Sequence, residues 1–160
     1  MLRFERTWDY SLVREVVTHP KVWPWVTDDF SPAAGDYLPV EHPGVWYMLA
    51  WDDGELLGLW AFTPENGVCW EVHTCLLPGH GFRRARAAAR GMRAWLWANT
   101  PCRRVVTKVP AYNRIAYKFA VDAGLEQFGL NPKSIQKNGR LHDQALLGVS
   151  KPDKEGIICL

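Results

Sequence analysis

Between Val45 and Leu96 the hydrophobic period of the chain switches once, and that switch constrains the fold more than any other feature. Val45 to Trp51 and Leu56 to Thr63 are strand-like runs joined by Asp52-Asp53-Gly54-Glu55, whose Asp-Gly pair tolerates the positive φ angles of a tight hairpin turn. After Pro64-Glu65-Asn66-Gly67 a third run, Val68 to Leu77, completes an antiparallel meander. Phe82, Ala85, Ala89, Met92 and Leu96 then recur at steps of three and four, forming one stripe of a helix that ends near Asn99-Thr100-Pro101. The other faces of this helix carry Arg83, Arg84, Arg86, Arg90 and Arg93.

The remaining segments fit around this block. Leu2 to Trp8 alternates as a half-buried strand, and Leu12 to Val17 reads as a short amphipathic helix that Pro20 stops. Trp23 to Pro43 is dense in Pro, Gly, Asp and aromatics, which predicts a short helix and a long irregular loop. Arg104 to Val109 reads as a strand that lies parallel to the one before it, because a helix intervenes. Asn113 to Ala123 forms a helix stopped by Gly124, and Leu125 to Leu130 and Asp143 to Val149 are two strands around the Asn138-Gly139 turn. Residues 1–150 are expected to form one domain, followed by a polar tail, 151–160.

Composition narrows the function classes. A net charge of +2 and a charged fraction of 22% point to no nucleic-acid or membrane surface by themselves. Seven arginines, Arg83, Arg84, Arg86, Arg90, Arg93, Arg103 and Arg104, raise a nucleic-acid reading, but they circle the helix rather than form a stripe. Cys69, Cys75, Cys102 and Cys159 are scattered without metal-ligand spacing, so neither a metal site nor a disulfide framework is expected. With no apolar leader and no apolar run of membrane-spanning length, a cytoplasmic protein is expected. Nine tryptophans stand out. Most suit core packing, and Trp23 and Trp25, flanking Pro24, are candidates for a pocket wall.

Two groups of residues carry chemistry. Glu71, His73 and Cys75 alternate along the third meander strand and therefore share a face, opposite Trp70, Val72 and Thr74. Glu71 and His73 are candidate bases, since imidazoles ordinarily titrate near pH 6.5. At the start of the long helix, Gly79-His80-Gly81-Phe82-Arg83-Arg84-Ala85-Arg86 combines glycines, unpaired helix N–H groups and cations, the ingredients of an anion site.

The order strand, helices, three-stranded meander, helix, strand, helix, strand, strand, with Asn113, Ala116, Gly124 and Leu125 at their spacing, resembles the GNAT superfamily of acyl-CoA N-acyltransferases over about residues 2–150. The resemblance implies an α/β fold with a mixed, mostly antiparallel sheet of about seven strands and about four helices. It also implies acetyl-CoA as co-substrate and an amine acceptor, either a small molecule or a protein N-terminus or lysine. Leu76, Leu77, Gly81, Phe82, Arg83, Arg84, Ala85, Arg86 and Asn113 would then contact the cofactor, with Glu71 or His73 as base. The pyrophosphate turn departs from the family pattern, with His80 for Arg or Gln and Arg83 for Gly. The family's thiolate-protonating tyrosine falls at Ala120, which leaves Tyr117 either to take that role or to serve packing alone. Lys137 to Asp143 resembles the final hairpin of members that acetylate protein N-termini. A noncatalytic CoA-binding or assembly module is the alternative these departures leave open, as is a homo-oligomer.

Overall fold

The computed structural model describes residues 1–153, so most of the expected tail lies outside the described residues. Seven strands form one sheet: β1 (Leu2–Thr7), β2 (Trp46–Asp52), β3 (Glu55–Pro64), β4 (Cys69–Leu76), β5 (Arg104–Pro110), β6 (Glu126–Lys137) and β7 (Arg140–Ser150). Their spatial order is β1-β2-β3-β4-β5-β7-β6. Four helices, α1 (Tyr10–Val17), α2 (Trp23–Val26), α3 (Gly81–Asn99) and α4 (Arg114–Asp122), cover the faces.

All neighbouring strands run antiparallel except β4 and β5, which α3 connects as a parallel crossover. One face of β2, β3 and β4 buries Met48, Leu57, Phe62 and Val72 against Ala88, Met92 and Leu96 of α3. Removing each of the larger side chains from water stabilises the fold by about 2 kcal/mol. The opposite face packs Leu49, Leu59 and Cys75 on Val13, Val16 and Val17 of α1. A third, smaller cluster sets Ala120 of α4 against Val109, Ala145 and Leu147 of β5 and β7.

Local chemistry explains the boundaries. Asp9 caps α1 by accepting from Leu12 N, and Asn113 caps α4 by accepting from Ala116 N at 3.0 Å. Gly124, with φ +98°, closes α4 as its N–H donates to Val121 O and the N–H of Leu125 reaches Ala120 O. Arg90 and Arg93 donate to the carbonyls of Asp122 and Ala123, both at 2.7 Å, and complete that cap. At Gly58 a side chain would collide with the carbonyl oxygen of Cys75 and lie 3.1 Å from Leu76 Cα, so glycine lets β3 and β4 pass closely.

The last hairpin is longer than its sequence pattern predicts. β6 continues past Leu130 and β7 begins at Arg140, because the ladder skips from Asn131↔Gln144 to Ile135↔His142 over a bulge. Pro132 and the positive φ of Lys133 (50°) break the alternation locally, and pairing resumes beyond them.

Candidate functional site

The ladder between β4 and β5 is short. It pairs Cys69 with Arg104, Trp70 with Val105 and Glu71 with Val106, and then the strands diverge. Thr107 bridges the first step of the divergence, its hydroxyl donating to Val72 O at 3.0 Å. Because Leu77 N donates to Leu57 O at 3.0 Å, the β3–β4 alternation turns the N–H and C=O groups of Thr74 and Leu76 away from β3 and into the gap. Backbone groups left without a strand partner in such a gap are ready to pair with a ligand. Leu77, expected to offer backbone groups here, has its N–H already engaged, so the available donors belong to Thr74 and Leu76.

The gap opens on a cleft of about 380 Å³ whose wall includes Thr74, Leu76, Leu77, Gly81, Phe82 and Ala85. Asn113, Ala116 and Phe119 of α4 close it on one side, and Lys21, Trp25 and Val26 on another. Asn113 spends its Oδ1 on the α4 cap, which leaves its Nδ2 group for a ligand. The turn into α3 depends on Gly79 (φ +99°) and Gly81 (φ +69°), backbone angles that side chains disfavour. His80 stands at the N-cap without a capping hydrogen bond, so the first N–H groups of α3 remain free as anion donors. Its own Nδ1 is buried and without a bonding partner, 3.5 Å from Glu55 Oε1.

The arginines expected at this cleft do not gather there. Arg84 is committed to Asp52 and Glu55, both at 2.9 Å, and clamps α3 to the β2–β3 hairpin. Arg86 pairs with Asp122 at 3.0 Å and ties α3 to α4, facing an outer groove. Arg83 is exposed at the start of α3, with no hydrogen bond among the described residues. Intramolecular carboxylates have claimed two of the three charges.

Beyond Thr74 the cleft continues into a second pocket of about 270 Å³, with Trp25, Val26, Thr74, Asn113, Ala116 and Phe119 lining both. His73 stands at its mouth, its side chain 61% exposed, with Asp28, Lys108 and Tyr112 nearby. Glu71 lies behind it, only 15% exposed, 3.3 Å from His73 Nε2 and 3.0 Å from Lys108 Nζ. His73 first, and Lys108 less so, hold the Glu71 carboxylate down to about 2, against the burial that pushes it up. An anion so stabilised accepts no proton at neutral pH, so within this pair His73 is the group able to take one. Cys75, on the same strand face, is buried, and burial pushes its thiol up to about 12.

Tyr117 is not brought to the cleft. Its hydroxyl donates to Gln127 Oε1 at 2.8 Å, and its ring borders the outer groove beyond α4. Ala120 does face the second pocket. The two candidate tryptophans separate: Trp25 lines both pockets, whereas Trp23 stacks edge-on against Tyr37 at 5.4 Å.

The fold has counterparts among solved structures. The spermidine N-acetyltransferase from Vibrio cholerae, solved in complex with CoA and spermine, superposes with a TM-score of 0.74 at 15% identity, over 93% of this chain and 95% of that one. The ribosomal-protein-S5-alanine acetyltransferase from Vibrio fischeri gives 0.69 at 16% identity, over 95% and 93%. The chain has the GNAT fold. No protein-family model matches the sequence, and no curated protein matches it.

Within the GNAT fold, the residues that sequence reasoning missed are Thr74, Lys108 and Tyr112. Thr74 presents backbone groups to the gap, for which side-chain patterns carry no signal. Lys108 reaches Glu71 from the neighbouring strand, a pairing only the sheet register creates. Tyr112 directly precedes the helix cap Asn113, and that adjacency is the one signal that could have found it.

Proposed function

We propose that the chain is an N-acyltransferase that moves an acetyl group from acetyl-CoA to an amine by direct transfer. The observation that carries this reading is a pair of β4 positions, Thr74 and Leu76, whose N–H and C=O groups turn away from β3 into the gap where β5 has diverged, beside the uncapped N-terminus of α3. The pantetheine amides would pair with those groups as an added strand, and the pyrophosphate would take the free N–H groups of α3. Arg83, without a hydrogen bond among the described residues, supplies a guanidinium at this end. That a protein of the same fold is found with CoA and spermine supports the choice of donor and of an amine acceptor.

In the transfer, His73 takes a proton from the acceptor ammonium while the Glu71 carboxylate offsets the charge it gains. The neutral nitrogen attacks the thioester carbonyl, whose developing oxyanion accepts from a β4 backbone N–H. As the C–S bond breaks and the CoA thiolate leaves, the attacking nitrogen sheds its second proton, which the thiolate takes up directly or through solvent, so the products are the amide and the CoA thiol, and the imidazolium returns its proton to solvent. A thiolate needs no strong acid to depart, so the step does not depend on Tyr117.

A noncatalytic CoA-binding module is the second reading, motivated by the engagement of Tyr117 with Gln127 and by Ala120. Calorimetry with acetyl-CoA followed by thiol release across an amine panel separates the two. Binding with amine-dependent thiol release that His73→Ala abolishes supports the enzyme, and binding without release supports the module. No binding overturns both.

A further inference from the structure

The second pocket has two chemically different ends. Its mouth is polar, with His73, Asp28, Lys108 and Tyr112, but its inner end passes between the diverging strands to the other face of the sheet. There it is walled by Trp60, Phe62, Val72 and Met92 on one side and Phe119 and Ala120 on the other. Trp60, Phe62, Val72 and Met92 belong to the apolar cluster of α3 and Ala120 to the separate cluster of α4, and the pocket fills the seam between them. Arg93, the charged side chain at the inner end among the described residues, is already bonded to Ala123 O.

A seam of this kind is not neutral. Well-packed interiors leave few voids, and an apolar cavity of roughly 150 Å³ stays dry and takes up an apolar guest. The whole pocket here measures about 270 Å³. Thr74 lies at the junction of the two pockets. A thioester carbonyl held near its backbone has the pantetheine arm on the side of the first cleft and the acyl carbons on the side of the seam. An acetyl group is too short to occupy it.

We infer that the acyl group this site takes best is a linear chain longer than acetyl, of the butyryl to hexanoyl class, with its methylenes in the seam between α3 and α4 and Ala120 setting the available length. The inference rests on the acyl-donor reading above. The transfer itself is unchanged: the amine nitrogen forms the amide bond, the C–S bond breaks, one ammonium proton passes to His73 and the second ends on the departing CoA thiolate.

The test is calorimetry of the full chain with free CoA, acetyl-CoA, butyryl-CoA and hexanoyl-CoA, repeated with Ala120→Leu. The expected result is affinity rising from acetyl to hexanoyl by about threefold to fourfold per added methylene while room remains. Ala120→Leu should cancel that rise and leave free CoA binding unchanged. Ala120→Val is the milder filling variant should the leucine lower Tm, and it should truncate the series at a shorter chain. Equal affinity for all three thioesters, with CoA bound, overturns this inference alone. A rise that the filled variants do not alter overturns the placement of the chain. Absence of CoA binding overturns the donor reading and this inference with it.

Discussion

Glu71 Oε1 lies 3.3 Å from His73 Nε2, two positions along the same face of β4, and the buried carboxylate thus backs the exposed imidazole. The relationship has a pH signature. Glu71 is held at about 2 in the folded state, below its ordinary value of 4.5. Its contribution to stability is therefore fully present above pH 4.5 and is lost as pH falls toward 2. Glu71→Gln should lower stability at neutral pH by on the order of 2 kcal/mol, and the Tm gap from the native chain should close across that acid window. Thermal unfolding followed from pH 7 to pH 2 measures it.

Arg83 and Arg84 are sequence neighbours with opposite commitments. Arg83→Ala should weaken acetyl-CoA binding about tenfold, the scale of one charge-assisted hydrogen bond, with Tm unchanged. Arg84→Ala should leave that affinity nearly intact and instead lower Tm slightly, because its carboxylate partners are Asp52 and Glu55. Paired calorimetry and thermal melts distinguish the two effects.

Asp29 latches the loop after α2 to the tip of the last hairpin, accepting from Asn138 N at 2.7 Å and Gly139 N at 2.8 Å. Lys137 returns the contact by donating to Thr27 O at 2.7 Å. The hairpin amides, led by that of Gly139, hold the Asp29 carboxyl below its ordinary range, so the latch persists above that range and opens as pH falls through the lowered value. Asp29→Ala should abolish hydrogen-exchange protection at Asn138 and Gly139 at neutral pH while leaving the β2–β3 amides protected.

Gly58→Ala should cost at least about 2 kcal/mol, because the new carbon meets backbone rather than a movable side chain. Gly124→Ala should cost about 1 kcal/mol, the price of placing a side chain at φ +98°. Chemical denaturation of both variants gives the comparison.

Much of the architecture was legible in the residues themselves. The Asp53-Gly54 turn, the stripe from Phe82 to Leu96 and the Asn113 and Gly124 caps are local, set by dihedral preferences and by hydrophobic period, so they could be read without a partner in space. The bulged course of β6 could not, since Pro132 and Lys133 break the alternation and only pairing with β7 carries the strand onward. At the site, the sharing of one face by Glu71 and His73 follows from strand geometry alone. Which of them is free to exchange a proton does not, because Lys108 arrives from another strand. The arginines show the same division. Residue order places three cations at the start of α3, but the fold brings carboxylates to Arg84 and Arg86 and, among the described residues, none to Arg83, because where a long charged side chain ends depends on the oppositely charged groups folding brings within reach.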